Sequence, residues 1–176
     1  LLSESGDLDA AQAELERVVA MAPYDLRARR ALALVHASRR AGPELVHDLE
    51  QVVALDPEDL DAHMDLGAAY LSVGMMAQAA ATYEEVLRRR PRHLAALKLV
   101  GDLALAQKDF KKATSTLEKL RRLAPEDPRP LFLLGAAYYE IGDLEAAEKR
   151  FLEGSQVPGM LGDAYANLGA VALRRG

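Results

Sequence analysis

Apolar, small and polar residues follow one another in a fixed order along the chain, and this order returns every 34 residues. Four prolines mark the period: Pro23, Pro57, Pro91 and Pro125. Between two such prolines, apolar residues form two stripes with helical spacing, and a turn separates the stripes. The pattern predicts a tandem array of helical hairpins. Because a unit of about 34 residues cannot bury its own apolar face, neighbouring units must stack into a solenoid.

The clearest unit spans residues 60–93, and Gly74 separates its two helices. The first helix carries Leu66, Gly67 and Tyr70 on one face, and the second carries Ala79, Tyr83 and Val86. Helix axes approach to about 8–10 Å only where the side chains at the crossing permit it. The sequence therefore predicts that the small residues set the crossing of the two helices and that the rings fill the space beside it.

Short polar residues stand where the predicted helices begin. Asp25, Asp59 and Asp127 follow their prolines by two residues and are predicted N-caps of first helices, with Pro128 at a first helical position. Second helices are predicted to open at Asp7, Asp109 and Asp143. In the unit 26–59, Gly42-Pro43 is expected to shift the turn and make the hairpin irregular.

These residues resemble the tetratricopeptide repeat, whose pattern in 34 residues is matched by Leu66, Gly67, Tyr70, Ala79, Tyr83 and Pro91. The resemblance implies an all-α fold, a right-handed α-α superhelix of tandem helix-turn-helix repeats. One array spans residues 1–176. It consists of a partial repeat at 1–25, mainly a second helix, a divergent repeat at 26–59, repeats at 60–93, 94–127 and 128–161, and the first helix of a further repeat at 162–176.

The repeat 26–59 departs most from the family pattern. Leu32-Ala33 replaces Leu-Gly, His36 stands where Tyr is usual, and Arg29 stands where Trp is usual. Its helices are expected to lie farther apart than those of the other repeats.

The resemblance also implies which positions of the first helices face the concave groove. Here these positions are mostly apolar with a border of mixed charge, and they predict a partner-binding surface formed by Arg30, Leu34, Met64, Ala68, Leu71, Lys98, Leu99, Asp102, Leu105, Arg129, Phe132, Leu133, Ala136 and Tyr139. Asp61 and Asp65 share this face. For Leu99, Leu105 and Leu133 the alternative is packing between adjacent first helices. Met64 and Ala68 occupy two positions where some relatives bind a C-terminal carboxylate through Lys and Asn, so an apolar helix or extended peptide fits better.

Composition and charge narrow the classes of partner. The formal net charge of −5 argues against nucleic acid, because a phosphate-backbone binder usually concentrates positive charge. No run approaches the ~20 apolar residues that span a bilayer, so direct membrane insertion is not expected. The chain begins at Leu1 and is expected to be a fragment of a longer array, so targeting is not readable; a cytoplasmic location is preferred to export.

No motif predicts catalysis, a cofactor or a metal site. The segment 154–159 has the glycine spacing of a phosphate loop, but it lacks the Lys and Ser or Thr that hold phosphate and magnesium. The four histidines are dispersed, with no pair at one-turn spacing. His36 and His63 are expected to be packed within the repeats, whereas His47 and His93 are expected to be solvated.

The sequence thus predicts a non-enzymatic scaffold that binds a peptide or helical segment of a partner protein in its concave groove. Two alternatives remain. The array self-associates into a homo-oligomer through uncovered end helices or its convex face, or it is the substrate-recruiting arm of a larger enzyme.

Overall fold

The computed structural model describes residues 2–176, with side chains from Asp7 onward. These residues form ten α-helices and no strand, so the predicted all-α repeat solenoid is confirmed. The helices are α1 (Leu2–Met21), α2 (Leu26–Ser38), α3 (Gly42–Leu55), α4 (Leu60–Ser72), α5 (Met76–Arg89), α6 (Leu94–Ala106), α7 (Phe110–Leu123), α8 (Arg129–Ile141), α9 (Leu144–Ser155) and α10 (Leu161–Arg175). The chain divides into two compact units, Leu1–Val86 and Leu87–Gly176.

The period of the sequence reappears in the helix starts. Helices α3, α5, α7 and α9 begin at Gly42, Met76, Phe110 and Leu144, at steps of 34 residues. The repeat boundaries given above stay predictions. Leu161 begins α10 one residue before its predicted repeat.

The turn within the divergent repeat is regular, so the expected irregular hairpin is wrong. Helices α2 and α3 have 13 and 14 residues, as α4 and α5 have. Arg40 adopts a left-handed φ of 55°, as Gly74 does with a φ of 79° at the equivalent position of the next hairpin. A non-glycine residue in this region costs roughly 1–2 kcal/mol, which the packing of the two helices must offset.

Most of the predicted N-caps are present. The carboxylates of Asp25, Asp59, Asp109 and Asp143 accept hydrogen bonds from backbone N–H groups in the first turns of α2, α4, α7 and α9, at 2.9–3.2 Å. The prediction for Asp7 is wrong, because α1 runs through it as one continuous helix.

Two first helices begin differently from the prediction. Helix α8 begins at Arg129, one residue late, with Pro128 in the cap position, although Asp127 accepts from the backbone N–H of Arg129 at 3.0 Å. His93, expected to be solvated, caps α6: its Nδ1 accepts from the N–H of Ala96 at 3.1 Å.

A large side chain of the second helix packs on a glycine of the first helix. A Cβ added to Gly67 would lie 2.4 Å from the ring of Tyr83, and one added to Gly135 would lie 2.4 Å from the ring of Phe151. At Gly101 the corresponding atom would meet Leu117 at 2.9 Å. The predicted role of the small residue at the crossing is therefore confirmed.

The divergent repeat replaces part of its apolar contact with a buried polar cluster. His36 Nδ1 lies 2.7 Å from one oxygen of Asp48, and Arg29 Nη1 donates to the other at 3.4 Å. Asp48 is 2% exposed and His36 is 6% exposed. The two residues that replace Tyr and Trp thus share one carboxylate, which comes from α3.

The glycine contact gives the first prediction. Gly67→Ala is expected to lower the free energy of unfolding by about 1–3 kcal/mol, because the methyl group would displace Tyr83 from a filled core. Gly169→Ala is the matched control: it lies at the equivalent position of α10, where an added Cβ meets no atom within 4 Å. Alanine there is expected to raise stability by about 0.5–1 kcal/mol, because it favours helix over glycine. Urea unfolding followed by circular dichroism measures both. Equal effects of the two substitutions would contradict the assigned role.

Candidate partner-binding surfaces

The first unit has an open cavity of about 470 Å³ formed by α2, α3 and α4, here called the first cavity. Three of the predicted partner-binding residues line it: Arg30, Leu34 and Ala68. Leu34 is 70% exposed, so an apolar side chain stands in solvent at the cavity wall. The remaining lining comes from Ala33, Ala37, Leu45, Leu49, Val52, Asp61, Ala62, Asp65, Ala69 and Ser72.

The first cavity exists where the repeat pattern has a small residue. Ala37 occupies the position that Leu71, Leu105 and Tyr139 hold in the next three first helices. With a single methyl group at this position and another at Ala68, space stays open above the buried core of α3. Sequence reasoning missed Ala37, although comparison of equivalent positions would have found it.

The charges at the first cavity are not balanced. The guanidinium of Arg30 hydrogen-bonds Asp59 and lies 3.9 Å from Asp56. Asp61 and Asp65 stand one helical turn apart on α4, and within the described residues neither forms an ion pair. Partial desolvation, and then the charge of Asp61, raise the pKa of the Asp65 carboxyl, while Arg30 opposes the rise. The rim therefore has an excess of negative charge.

The two other predicted residues of this unit lie outside the first cavity. Met64 and Leu71 are both half-buried on α4. Tyr70, beside Leu71, belongs to the core: its hydroxyl donates to Glu50 at 2.6 Å, and burial together with this bond raises the pKa of Tyr70 to about 12.

The second unit has a cavity of about 380 Å³, here called the second cavity. It brings together five of the predicted residues, Lys98, Asp102, Arg129, Phe132 and Leu133. The residues that sequence reasoning missed are Leu120, Asp127, Pro130, Met160 and Asp163. Met160 and Asp163 come from the segment before α10 and from its first turn, which no pattern within a single repeat connects to α6 and α8.

One ion pair forms among the charged residues of the second cavity. The guanidinium of Arg129 donates to both oxygens of Asp127, at 2.6–3.1 Å, and lowers the pKa of that carboxyl. Desolvation raises the pKa of Asp102, and the charges of Lys98 and Arg129 oppose the rise. Arg129 is therefore already engaged within the chain.

The two predicted aromatic residues of this unit also contribute to packing. The ring of Phe132 lies 6.5 Å from that of Phe151, and a Cβ on Gly154 would meet it at 2.8 Å. The guanidinium of Arg174 covers Tyr139 at 4.5 Å from the ring centroid. Both rings are half-buried, so a partner would meet only part of either surface.

Three further predicted residues, Leu99, Leu105 and Ala136, do not line the second cavity. Leu105 is half-buried and packs against the core of α6, α7 and α8, and Leu133 packs on the same core while also lining the cavity. Leu99 is half-buried and Ala136 is exposed.

The residues that the structure describes hold no group of three or more His, Asp or Glu arranged to bind a metal ion. None of the helices in this part of the chain is long and apolar enough to cross a membrane.

Helical hairpins that recur in one register define a helical repeat protein, and comparison with known proteins identifies the family. Two models of the tetratricopeptide repeat match the chain, one over residues 1–44 and 74–128 and the other over residues 104–157. The chain belongs to the tetratricopeptide repeat family. Proteins of this family are, in general, protein–protein interaction scaffolds.

Solved structures show the same fold at low sequence identity. A crystal structure of MamA protein has 20% identity and a TM-score of 0.72, covering 88% of this chain and 84% of that chain. A MamA structure from Desulfovibrio magneticus has 24% identity and a TM-score of 0.73, covering 85% of each chain. TTC0263, a tetratricopeptide repeat protein of Thermus thermophilus, has 23% identity and a TM-score of 0.54, covering 98% of this chain and 94% of that chain. No curated protein matches the chain.

The Asp127–Arg129 pair gives a prediction about pH. Because the pKa of Asp127 is lowered in the folded chain, the pair stabilises the fold above the ordinary pKa of an aspartate, and this contribution is lost as the pH falls through the lowered pKa. In Arg129→Gln the Asp127 carboxyl is expected to titrate nearer its ordinary pKa, as measured by carbon NMR. Asp65 is the control, because the causes of its raised pKa do not include Arg129: its titration should be the same in both proteins. An unchanged titration of Asp127 would contradict the assignment.

Proposed function

We propose that this chain is a non-enzymatic scaffold that binds a peptide or helical segment of a partner protein on its first helices. The observation that carries the proposal is the first cavity, an apolar hollow beside the exposed side chain of Leu34. Its volume lies within the range of about 300–1,000 Å³ usual for ligand sites. At the second cavity, the side chain of Leu133 and part of the Phe132 ring are available for contact with a partner.

The expected affinity is modest. Burying Leu34 and one partner side chain contributes on the order of 3–6 kcal/mol gross. Ordering a flexible segment offsets part of this, so this contact alone corresponds to a Kd of about 0.1–1 mM, and further contacts along the first helices must supply the rest of a micromolar affinity. Such an affinity suits a module that recruits partners reversibly.

Affinity capture from source-cell lysate tests the proposal. Leu34→Glu is expected to weaken retention of the partner by about tenfold or more, because it places a charge against the apolar wall. Leu173→Glu is the matched control, since Leu173 is 87% exposed on α10 and lines neither cavity. Circular dichroism should show all three proteins equally helical. A partner held equally by wild type and Leu34→Glu would contradict the proposal.

A second candidate is self-association through a face of α10 that contains Gly169. A large side chain of a second helix packs on each of its equivalents, Gly67, Gly101 and Gly135. At Gly169, in contrast, an added Cβ would have no atom within 4 Å. On α10, Tyr165 is 62% exposed.

One face of helix α1 carries large apolar side chains of the kind that pack on these glycines. By the 34-residue register, Leu15 stands at the position of Tyr83, Leu117 and Phe151, and Val18 beside it is 40% exposed. In this second proposal, that face of α1 in one copy packs on the face of α10 in the next. Such a head-to-tail contact generates rings or filaments.

Sedimentation velocity over a range of concentrations tests the second candidate. Wild type is expected to gain mass with concentration, and Gly169→Trp is expected to stay monomeric because the indole blocks the close approach of α1. Leu34→Glu is the control and should associate as wild type does. A concentration-independent monomer, or unchanged association of Gly169→Trp, would exclude this contact.

A further inference from the structure

The first cavity differs from the second in the arrangement of its charges. Its interior is formed by alanine, leucine and valine side chains, and its polar residues are Arg30, Asp61, Asp65 and Ser72. Arg30 is held by Asp59 and Asp56, as described above. The second cavity has two cations, Lys98 and Arg129, beside three carboxylates, Asp102, Asp127 and Asp163. The first cavity combines an apolar interior with two neighbouring carboxylates that form no ion pair with the described residues, although the charge of Arg30 acts on Asp65.

The two carboxylates are placed to receive one cation. Asp61 and Asp65 stand at i and i+4 on α4, so their side chains are neighbours on the helix surface. Two negative charges this close repel each other. Desolvation and the charge of Asp61 both raise the pKa of Asp65, while Arg30 compensates only in part. A cation from outside the chain would relieve this repulsion.

We propose that the first cavity binds a basic amphipathic helix of a partner protein, which inserts an aliphatic side chain into the cavity and places a Lys or Arg against Asp61 and Asp65. The proposal rests on the scaffold function given above and specifies the chemistry of the partner. Spacings of three or four residues put an aliphatic and a basic side chain on one side of a helix, so a single helix presents both groups.

The shape of the first cavity suggests a variant that tests the proposal by filling the cavity. Ala37→Leu introduces the residue that α4 and α6 carry at the equivalent positions Leu71 and Leu105, where both side chains are half-buried. The register of the repeat therefore accommodates leucine, and the variant is expected to keep its fold. Its side chain would occupy the space that the partner's aliphatic residue needs.

The experiment measures fluorescence anisotropy of a labelled amphipathic helix built from leucine and lysine. The comparison peptide has every lysine replaced by glutamate. Wild type is expected to bind the leucine–lysine helix at micromolar concentration and the leucine–glutamate helix at least about tenfold more weakly, because like charges then meet at the rim.

Three variants separate shape from charge. Ala37→Leu is expected to weaken binding of the leucine–lysine helix by about tenfold, the loss of one buried aliphatic side chain. Asp61→Asn/Asp65→Asn is expected to weaken it by about threefold to tenfold and to reduce its dependence on salt. Glu126→Gln/Glu145→Gln is the matched control: it removes two carboxylates that do not line the first cavity, so it should bind within about twofold of wild type.

The dependence on pH gives a further readout. Binding needs Asp65 ionised, so affinity is expected to fall as the pH drops through the raised pKa of this group. The Asp61→Asn/Asp65→Asn variant should lack this fall.

Several outcomes would overturn the proposal. Equal binding of both peptides, or wild-type affinity in Ala37→Leu, would exclude this site for a basic helix. Equal losses in the Asp61→Asn/Asp65→Asn variant and in its control would show that the peptide is attracted to the acidic chain as a whole and not to this site.

The two experiments together separate this proposal from the scaffold function. If Leu34→Glu loses the captured partner while the leucine–lysine helix does not bind wild type, the stated chemistry fails and the scaffold function stands. If the helix binds as expected but Leu34→Glu retains the partner, the cavity is confirmed as a peptide site and the scaffold function needs another surface.

Discussion

The structure depends on one contact that recurs along the chain: a large side chain of a second helix packed on a glycine of the preceding first helix. Tyr83, Leu117 and Phe151 make this contact, and none of them is more than 2% exposed. At these three crossings it fixes how closely the two helices approach and in which register, because a Cβ added to the glycine would lie 2.4–2.9 Å from the ring or branched chain. The turns and N-caps then position each helix so that this contact can form.

The candidate sites arise where the repeating arrangement leaves space. Ala37 stands where other first helices carry a leucine or tyrosine, and the first cavity opens beside it. The backbone stays regular there, because helix lengths and the turn match those of the next repeat. A repeat scaffold can therefore change its binding surface by single side-chain substitutions without disturbing the fold, which explains why fold alone does not identify a partner.

The divergent repeat shows how a departure from the pattern is compensated. His36 and Arg29 replace the usual aromatic residues, and both contact the buried carboxylate of Asp48. Burying a charge without a partner is costly, so these three residues must be exchanged together. The cluster leaves His36 Nε2 buried without a hydrogen-bond partner, a local cost that the usual aromatic residue would avoid.

The sequence alone predicts the period, the helix pairs, most caps and the family, because these follow from local spacing and from contacts that repeat at a fixed distance along the chain. It placed Arg30, Leu34 and Ala68 on one face but did not reveal the cavity that they share with Ala37, because a cavity is defined by what several helices leave unfilled. The assignment of His93 as a cap and the covering of Tyr139 by Arg174 were likewise decided by tertiary structure, because each depends on where a side chain lies once its helix is packed. Local pattern thus fixes the scaffold, while the combination of neighbouring helices decides which surfaces remain available to a partner.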